Sequence, residues 1–158
     1  MTGLRGGGSV GKRSIVGLVA ITLLVATMLA GCGGAEVTFV SDNGEYTLEQ
    51  VESLHTAQAP PSSIKGRPVE EASELRREAL VELRSFGGEA AELAEFVTQT
   101  LADTGRSVPY YGEAASFDGT PSWILLEVWG VEGGTLEATR LWVFERDTGA
   151  VVYSSTNR

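Results

Sequence analysis

Two lysines, two methionines, one histidine and one cysteine are all that the 158 residues hold of those types, and each scarcity removes a class of chemistry. A lone cysteine forbids an internal disulfide, so stability has to come from a packed core. A lone histidine with no second soft ligand argues against a metal cage built from imidazole and thiolate. Twelve cations against 21 carboxylates, a net charge of −9, exclude nucleic acid, whose binding rests on clustered Lys and Arg neutralising phosphates. The same balance opposes lying flat on anionic lipid. Long apolar runs are scarce too: the one from Ile15 to Ala30 is interrupted by Gly17, Thr22 and Thr27, and it falls short of the roughly 20 apolar residues a spanning helix needs. No glycine-rich loop follows a strand in the way phosphate binding requires.

What stands around that apolar run is a three-part export signal: a head with Arg5, Lys12 and Arg13, the run itself, then small residues. It ends Leu29-Ala30-Gly31-Cys32. This ending resembles the lipobox of bacterial lipoproteins, an aliphatic residue, two small residues and a cysteine, and matches it at every position. The resemblance covers residues 1–32. It implies cleavage between Gly31 and Cys32, a diacylglyceryl group on the Cys32 thiol, and further acylation, with palmitate for example, at the new amino terminus. Two or more acyl chains anchor stably where one does not. The expected organisation is therefore a signal peptide over 1–31, a lipid-anchored tether over 32–35 and a single α+β domain over 36–158. Removing the signal leaves nine cations against 21 carboxylates, a balance of −12, so the acyl anchor and not charge holds the chain on the extracytoplasmic face of the cell membrane.

Along the mature chain, a short strand is expected over Val37 to Val40 with a turn at Asn43-Gly44. A helix from about Leu48 to Ala57 follows, because Thr47 and Gln50 have the spacing of a capping box. Three prolines and a glycine make "QAPPSSIKGRP" a loop. After Pro68, a favoured helix start, Val69, Ala72, Leu75, Ala79, Leu83 and Phe86 recur at spacings of three and four. Gly87-Gly88 interrupts, and Ala90, Leu93, Ala94, Val97 and Leu101 resume the pattern, which predicts an antiparallel helix pair. The helical part spans 46–103 and the sheet part 107–155, where the period becomes two between turn signals at Asp118-Gly119, Gly133-Gly134 and Asp147-Thr148-Gly149.

The fold expectation is α+β: two to three N-terminal helices packed in two layers on a four-stranded antiparallel meander. A Gly133-Gly134 turn sets pairs whose numbers sum to 267, which brings Glu127 opposite Arg140, Trp123 opposite Phe144, Leu125 opposite Trp142, Leu126 opposite Leu141 and Ile124 opposite Val143. One face of the sheet is then aliphatic (Ile124, Leu126, Val128, Leu141, Val143) and suits the Ala/Leu stripes of the helix pair. The other carries Trp123, Leu125, Trp142 and Phe144, with Trp129 at the edge. That aromatic face is covered by the segment Val37 to Ile64, or is exposed, or the two faces are exchanged. Exposed, it makes Trp123, Leu125, Glu127, Arg140, Trp142 and Phe144 a candidate partner-binding patch, since aromatics and Arg supply most hot spots.

Strings that suggest catalysis fail on context. Asp103-Thr104-Gly105 and Asp147-Thr148-Gly149 spell the aspartic-protease triplet but fall at a helix end and a turn. Ser62-Ser63-Ile64-Lys65 and Ser41-Asp42-Asn43 resemble penicillin-binding motifs in reversed order, with no Lys-Thr-Gly. Glu52 and His55 have Glu-x-x-His spacing but lack companion ligands, so His55 reads as a surface histidine. The expectation is an exported, lipid-anchored envelope protein acting as a non-catalytic binding or accessory module, with no catalytic residue, no cofactor and no metal. Its partners are the membrane, through Cys32, and an envelope protein or small ligand. The rivals are a solute-binding lipoprotein of a transporter, which needs two lobes, and an envelope hydrolase without a recognisable motif.

Overall fold

A computed structural model describes residues 34–102 and 105–158. Cys32 and the signal segment lie outside the described residues. The elements run β1 (Thr38–Tyr46), α1 (Leu48–Ala57), a 3-10 turn (Val69–Glu71), α2 (Ala72–Ser85), α3 (Gly88–Thr100), β2 (Ser107–Phe117), β3 (Thr120–Trp129), β4 (Ala138–Glu145) and β5 (Val151–Asn157). The fold is α+β. The expected meander is present as β2 to β5, but β1 joins it in parallel beside β2, so among the described residues the sheet has five strands in the order β1-β2-β3-β4-β5. A parallel neighbour needs a long crossover, and the three helices between β1 and β2 supply it.

The strand β1 is longer than its sequence signal because Asn43-Gly44 does not end it. Pairing slips between Ser41 and Glu45, and Asp42 Oδ1 accepts the Gly44 amide at 2.8 Å across the irregularity. The helix α1 begins where the capping box requires: the Thr47 amide donates to Gln50 Oε1 at 2.8 Å. Gly87, at φ 73°, makes the break between α2 and α3, a backbone region that glycine enters without strain. Ala35, assigned by sequence to the tether, is buried and its amide donates to Glu78 Oε2 at 3.3 Å, so packed structure already includes that residue.

The β3–β4 register matches the expected pairing from Ser122↔Glu145 to Trp129↔Ala138. The connection is longer than two residues. Pairing stops at Trp129, Gly133-Gly134 closes a turn onto Val131 O at 2.9 Å, and Leu136 is buried. The wider loop is centred on the same point, which leaves the register unchanged.

The expected two layers become three, and the faces are exchanged. His55 of α1 hydrogen-bonds Thr139 and Ser155, on the aliphatic face with Leu141 and Val143, so Val51 and Leu54 of α1 are buried on that side. The pair α2–α3 covers the aromatic face: Arg76 reaches Glu127, and Phe96 meets Phe144 edge-on with centroids 4.9 Å apart. Volume explains the choice. The inward stripes of α2 and α3 are rich in alanine (Ala72, Ala79, Ala90, Ala94), and small side chains leave room for the indole and phenyl rings of β3 and β4. On β2 the same face carries Gly112 and Ala114, and a Cβ at Gly112 would lie 2.5 Å from Leu93 Cδ2. Glycine is what lets α3 sit down on the sheet.

Candidate functional site: an arginine between two indoles

The candidate patch is mostly core. Trp123, Leu125, Glu127 and Phe144 are buried, under α2 and α3, so of the three arrangements the exchanged faces hold and these four residues do not form the exposed patch. Arg146 lies over the Trp123 ring, 4.1 Å from its centroid, and pairs with Glu89 at 2.7 Å. Hydrogen bonds from Ser41 and then Arg146 hold the Glu89 carboxyl below its usual range. This cluster ties the start of α3 to the β4–β5 turn.

Glu127 faces Arg140 in the register, but its carboxylate has other partners. Arg76 Nη1 donates to Oε1 at 3.1 Å, Ser107 Oγ donates to the same oxygen at 3.1 Å, and the Trp142 indole N–H donates to Oε2 at 2.8 Å. Arg76 Nη2 donates to Leu101 O at 2.9 Å. Both charges are only 4% exposed. An ion pair this deep is tolerable only with its remaining donors and acceptors matched, and they are matched here. Arg76 stands in the buried stripe of α2 between Leu75 and Ala79, the one signal in the sequence that could have pointed to it.

Released from Glu127, Arg140 packs on rings. Its guanidinium carbon is 5.1 Å from the Trp129 centroid and 5.4 Å from that of Trp142, and Arg158 lies 5.6 Å from Trp129. All four side chains are on the α2–α3 face, Trp129 at the end of β3, Arg140 and Trp142 on β4, and Arg158 after β5. Trp129, Arg140 and Trp142 are each half-buried. The Trp142 ring is fixed by its bond to Glu127 and by stacking on Phe144 at 5.8 Å. Among the described residues, the ion pairs engage Arg67, Arg76, Arg77, Arg84, Arg106 and Arg146, and neither Arg140 nor Arg158 takes part. The result is a cationic and aromatic surface on an acidic chain.

Two polar clusters lie on the opposite face. His55, expected at the surface, is half-buried, with Nδ1 3.0 Å from Thr139 Oγ1 and Nε2 2.8 Å from Ser155 Oγ, and Tyr153 donates to Glu52 at 2.5 Å alongside. Burial holds the imidazole below its ordinary pKa, against the pull of Glu52. The second cluster is Glu113, fully buried, which accepts from Tyr46 at 2.8 Å and Tyr111 at 2.5 Å. Burial raises its carboxyl above the usual range, and the tyrosine bonds only partly offset this. Both phenols are pushed up in turn, by burial first and by Glu113 second.

The Ser155–His55 contact has the spacing of a nucleophile and its base, but catalysis also needs a pocket and oxyanion donors. Two clefts, lined around Tyr110 and around Arg84, hold about 130 and 240 Å³ respectively, smaller than the ~300–1,000 Å³ of small-molecule sites. Neither is lined by His55 or Ser155. The three hydroxyl and imidazole groups act as a clasp between α1, β4 and β5. Among the described residues no three His, Cys, Asp or Glu side chains gather to hold a metal, and no helix is long and apolar enough to cross a membrane. No protein family, curated protein or solved structure matches the chain.

Proposed function

We propose that the chain is an exported, lipid-anchored cell-envelope protein whose α+β domain works by binding a partner at the Trp129–Arg140–Trp142–Arg158 surface. The anchoring half of this reading rests on Leu29-Ala30-Gly31-Cys32 behind a basic head and an apolar run. The binding half rests on one observation: the Arg140 guanidinium is held between two half-buried indoles with no carboxylate partner among the described residues. Arginine and tryptophan pre-organised in this way lose little entropy on engagement and supply most interface hot spots. The small volumes of the clefts around Tyr110 and Arg84, and the mutual pairing of His55 with Thr139 and Ser155, support a non-catalytic role. A two-lobed solute-binding protein fits poorly, because the described residues form one compact unit.

The test is to cross-link the membrane-anchored chain in intact cells and compare wild type with Arg140→Glu. Arg140 makes no ion pair among the described residues, and an unchanged circular dichroism spectrum and melting temperature are required of the variant before its cross-links are compared. Loss of a specific cross-linked species, by about tenfold or more for a central arginine, supports the reading. An unchanged set of species in the charge-reversed variant refutes it.

A further inference from the structure

Every open sheet has two edges, and here they differ in kind. The outer edge of β1 is interrupted between Ser41 and Glu45 and carries the exposed carboxylates Asp42 and Glu45. Irregularity and charge are the usual devices that keep an edge from pairing. The other edge, β5, reads Val-Val-Tyr-Ser-Ser-Thr-Asn with no charged residue. Its one irregularity is at Val152, near the start, and from Tyr153 to Asn157 it pairs regularly with β4. Val151 and Val152 are exposed beside it. Its outward row of backbone N–H and C=O groups has no partner strand among the described residues.

We infer that two copies of the chain pair β5 against β5, antiparallel about a two-fold axis, so that two five-stranded sheets become one continuous sheet. The pairing rests on β5 alone, not on the binding reading above. A second copy is favoured over another partner on two grounds. An antiparallel strand pair is self-complementary, which is what a two-fold interface requires. In addition, with 21 carboxylates against 12 cations, most approaches between two copies bring like charges together, whereas β5 offers an uncharged strand along which they can meet. On the α2–α3 face, α2 and α3 pack chiefly against β2; α3 also reaches β4 and the β4–β5 turn through Phe96 on Phe144 and Glu89 with Arg146, and neither contact involves Val151–Asn157.

The consequence reaches the site. A two-fold axis perpendicular to the sheet keeps each face on its own side, so both Trp129–Arg140–Trp142 clusters come to line one floor. They are separated by the two β5 strands, three strand spacings or about 14 Å from β4 to β4, and flanked by the helix pair of each copy. A partner too long for one cluster then engages two.

The test uses the full chain in mild detergent, by sedimentation and by amide exchange. The probe variant is Ser154→Glu with Thr156→Glu, two exposed positions on the Arg140 side of β5. Any antiparallel self-pairing brings those glutamates near their copies. The wild type is expected to sediment as a dimer at about 100 µM, with slow exchange over Val151–Asn157 that accelerates on dilution, and the variant to dissociate at least ~tenfold more readily with an unchanged circular dichroism spectrum. A wild type that stays monomeric at that concentration overturns the inference. So does a dimer that persists unchanged in the variant, or one whose β5 amides exchange at the same rate at every dilution, because its interface lies elsewhere.

Discussion

Glu113 and His55 lie on the same face of the sheet and respond to pH in opposite senses. Burial lowers the His55 pKa below its ordinary 6.5, so the unfolded chain binds that proton first and the folded state loses stability as pH falls from 6.5 through the lower folded value. Burial raises Glu113 above its ordinary 4.5, so its contribution is fully present below 4.5 and is lost as pH rises through the higher folded value. Urea titrations across this range separate the two. In His55→Gln the acid-side decline shrinks, and in Glu113→Gln the decline with rising pH disappears. Profiles parallel to wild type in both variants would show that neither group titrates differently in the folded state. Neither cluster was legible as such in the sequence. His55 was, in part, since it follows Val51 by four positions and so shares the buried face of α1, the same kind of clue that Arg76 gives on α2. Their partners, Ser155 and Glu127, are 100 and 51 residues away, a separation that spacing rules do not reach.

Elements were legible where a local rule fixed both ends. The capping box starts α1, Gly87 divides α2 from α3, and the turn centred on Gly133-Gly134 sets the β3–β4 register, which the matched cross-strand pairs support. The strand β1 was only half legible because its partner is not its neighbour in sequence: no turn ties it to β2. Periodicity says which residues share a face but not which element covers it, and the helix assignment came out exchanged. The missing criterion was volume, with glycine at the closest approaches. Gly130 makes this testable. A Cβ there would lie 2.4 Å from the Thr135 carbonyl oxygen and 2.4 Å from Val69 Cγ2. Backbone cannot rotate aside as a leucine tip can, so Gly130→Ala is expected to cost about 1–3 kcal/mol and more than Gly112→Ala, whose nearest contact is the Leu93 methyl. Thermal melts of the two variants check the order, and equal midpoints would mean that the 130–137 loop shifts freely.

At the scale of the whole molecule, a domain held by its own core carries the half-buried Trp129–Arg140–Trp142 cluster, and the proposed reading adds a lipid anchor ahead of it. The composition fits that division. With a single cysteine in the whole sequence, the domain has no disulfide to rely on and is held by burial on both faces of one sheet. The central claim is that the lone Cys32 is modified and not structural. Mass spectrometry of the N-terminal peptide from membrane-extracted protein tests this most directly. The account predicts a chain that begins at Cys32 and carries a diacylglyceryl group, and a Cys32→Ala variant that keeps its first 31 residues and leaves the detergent phase unlabelled by lipid. A wild-type chain with a free Cys32 thiol, or a Cys32→Ala chain cleaved and lipid-bearing like wild type, contradicts it.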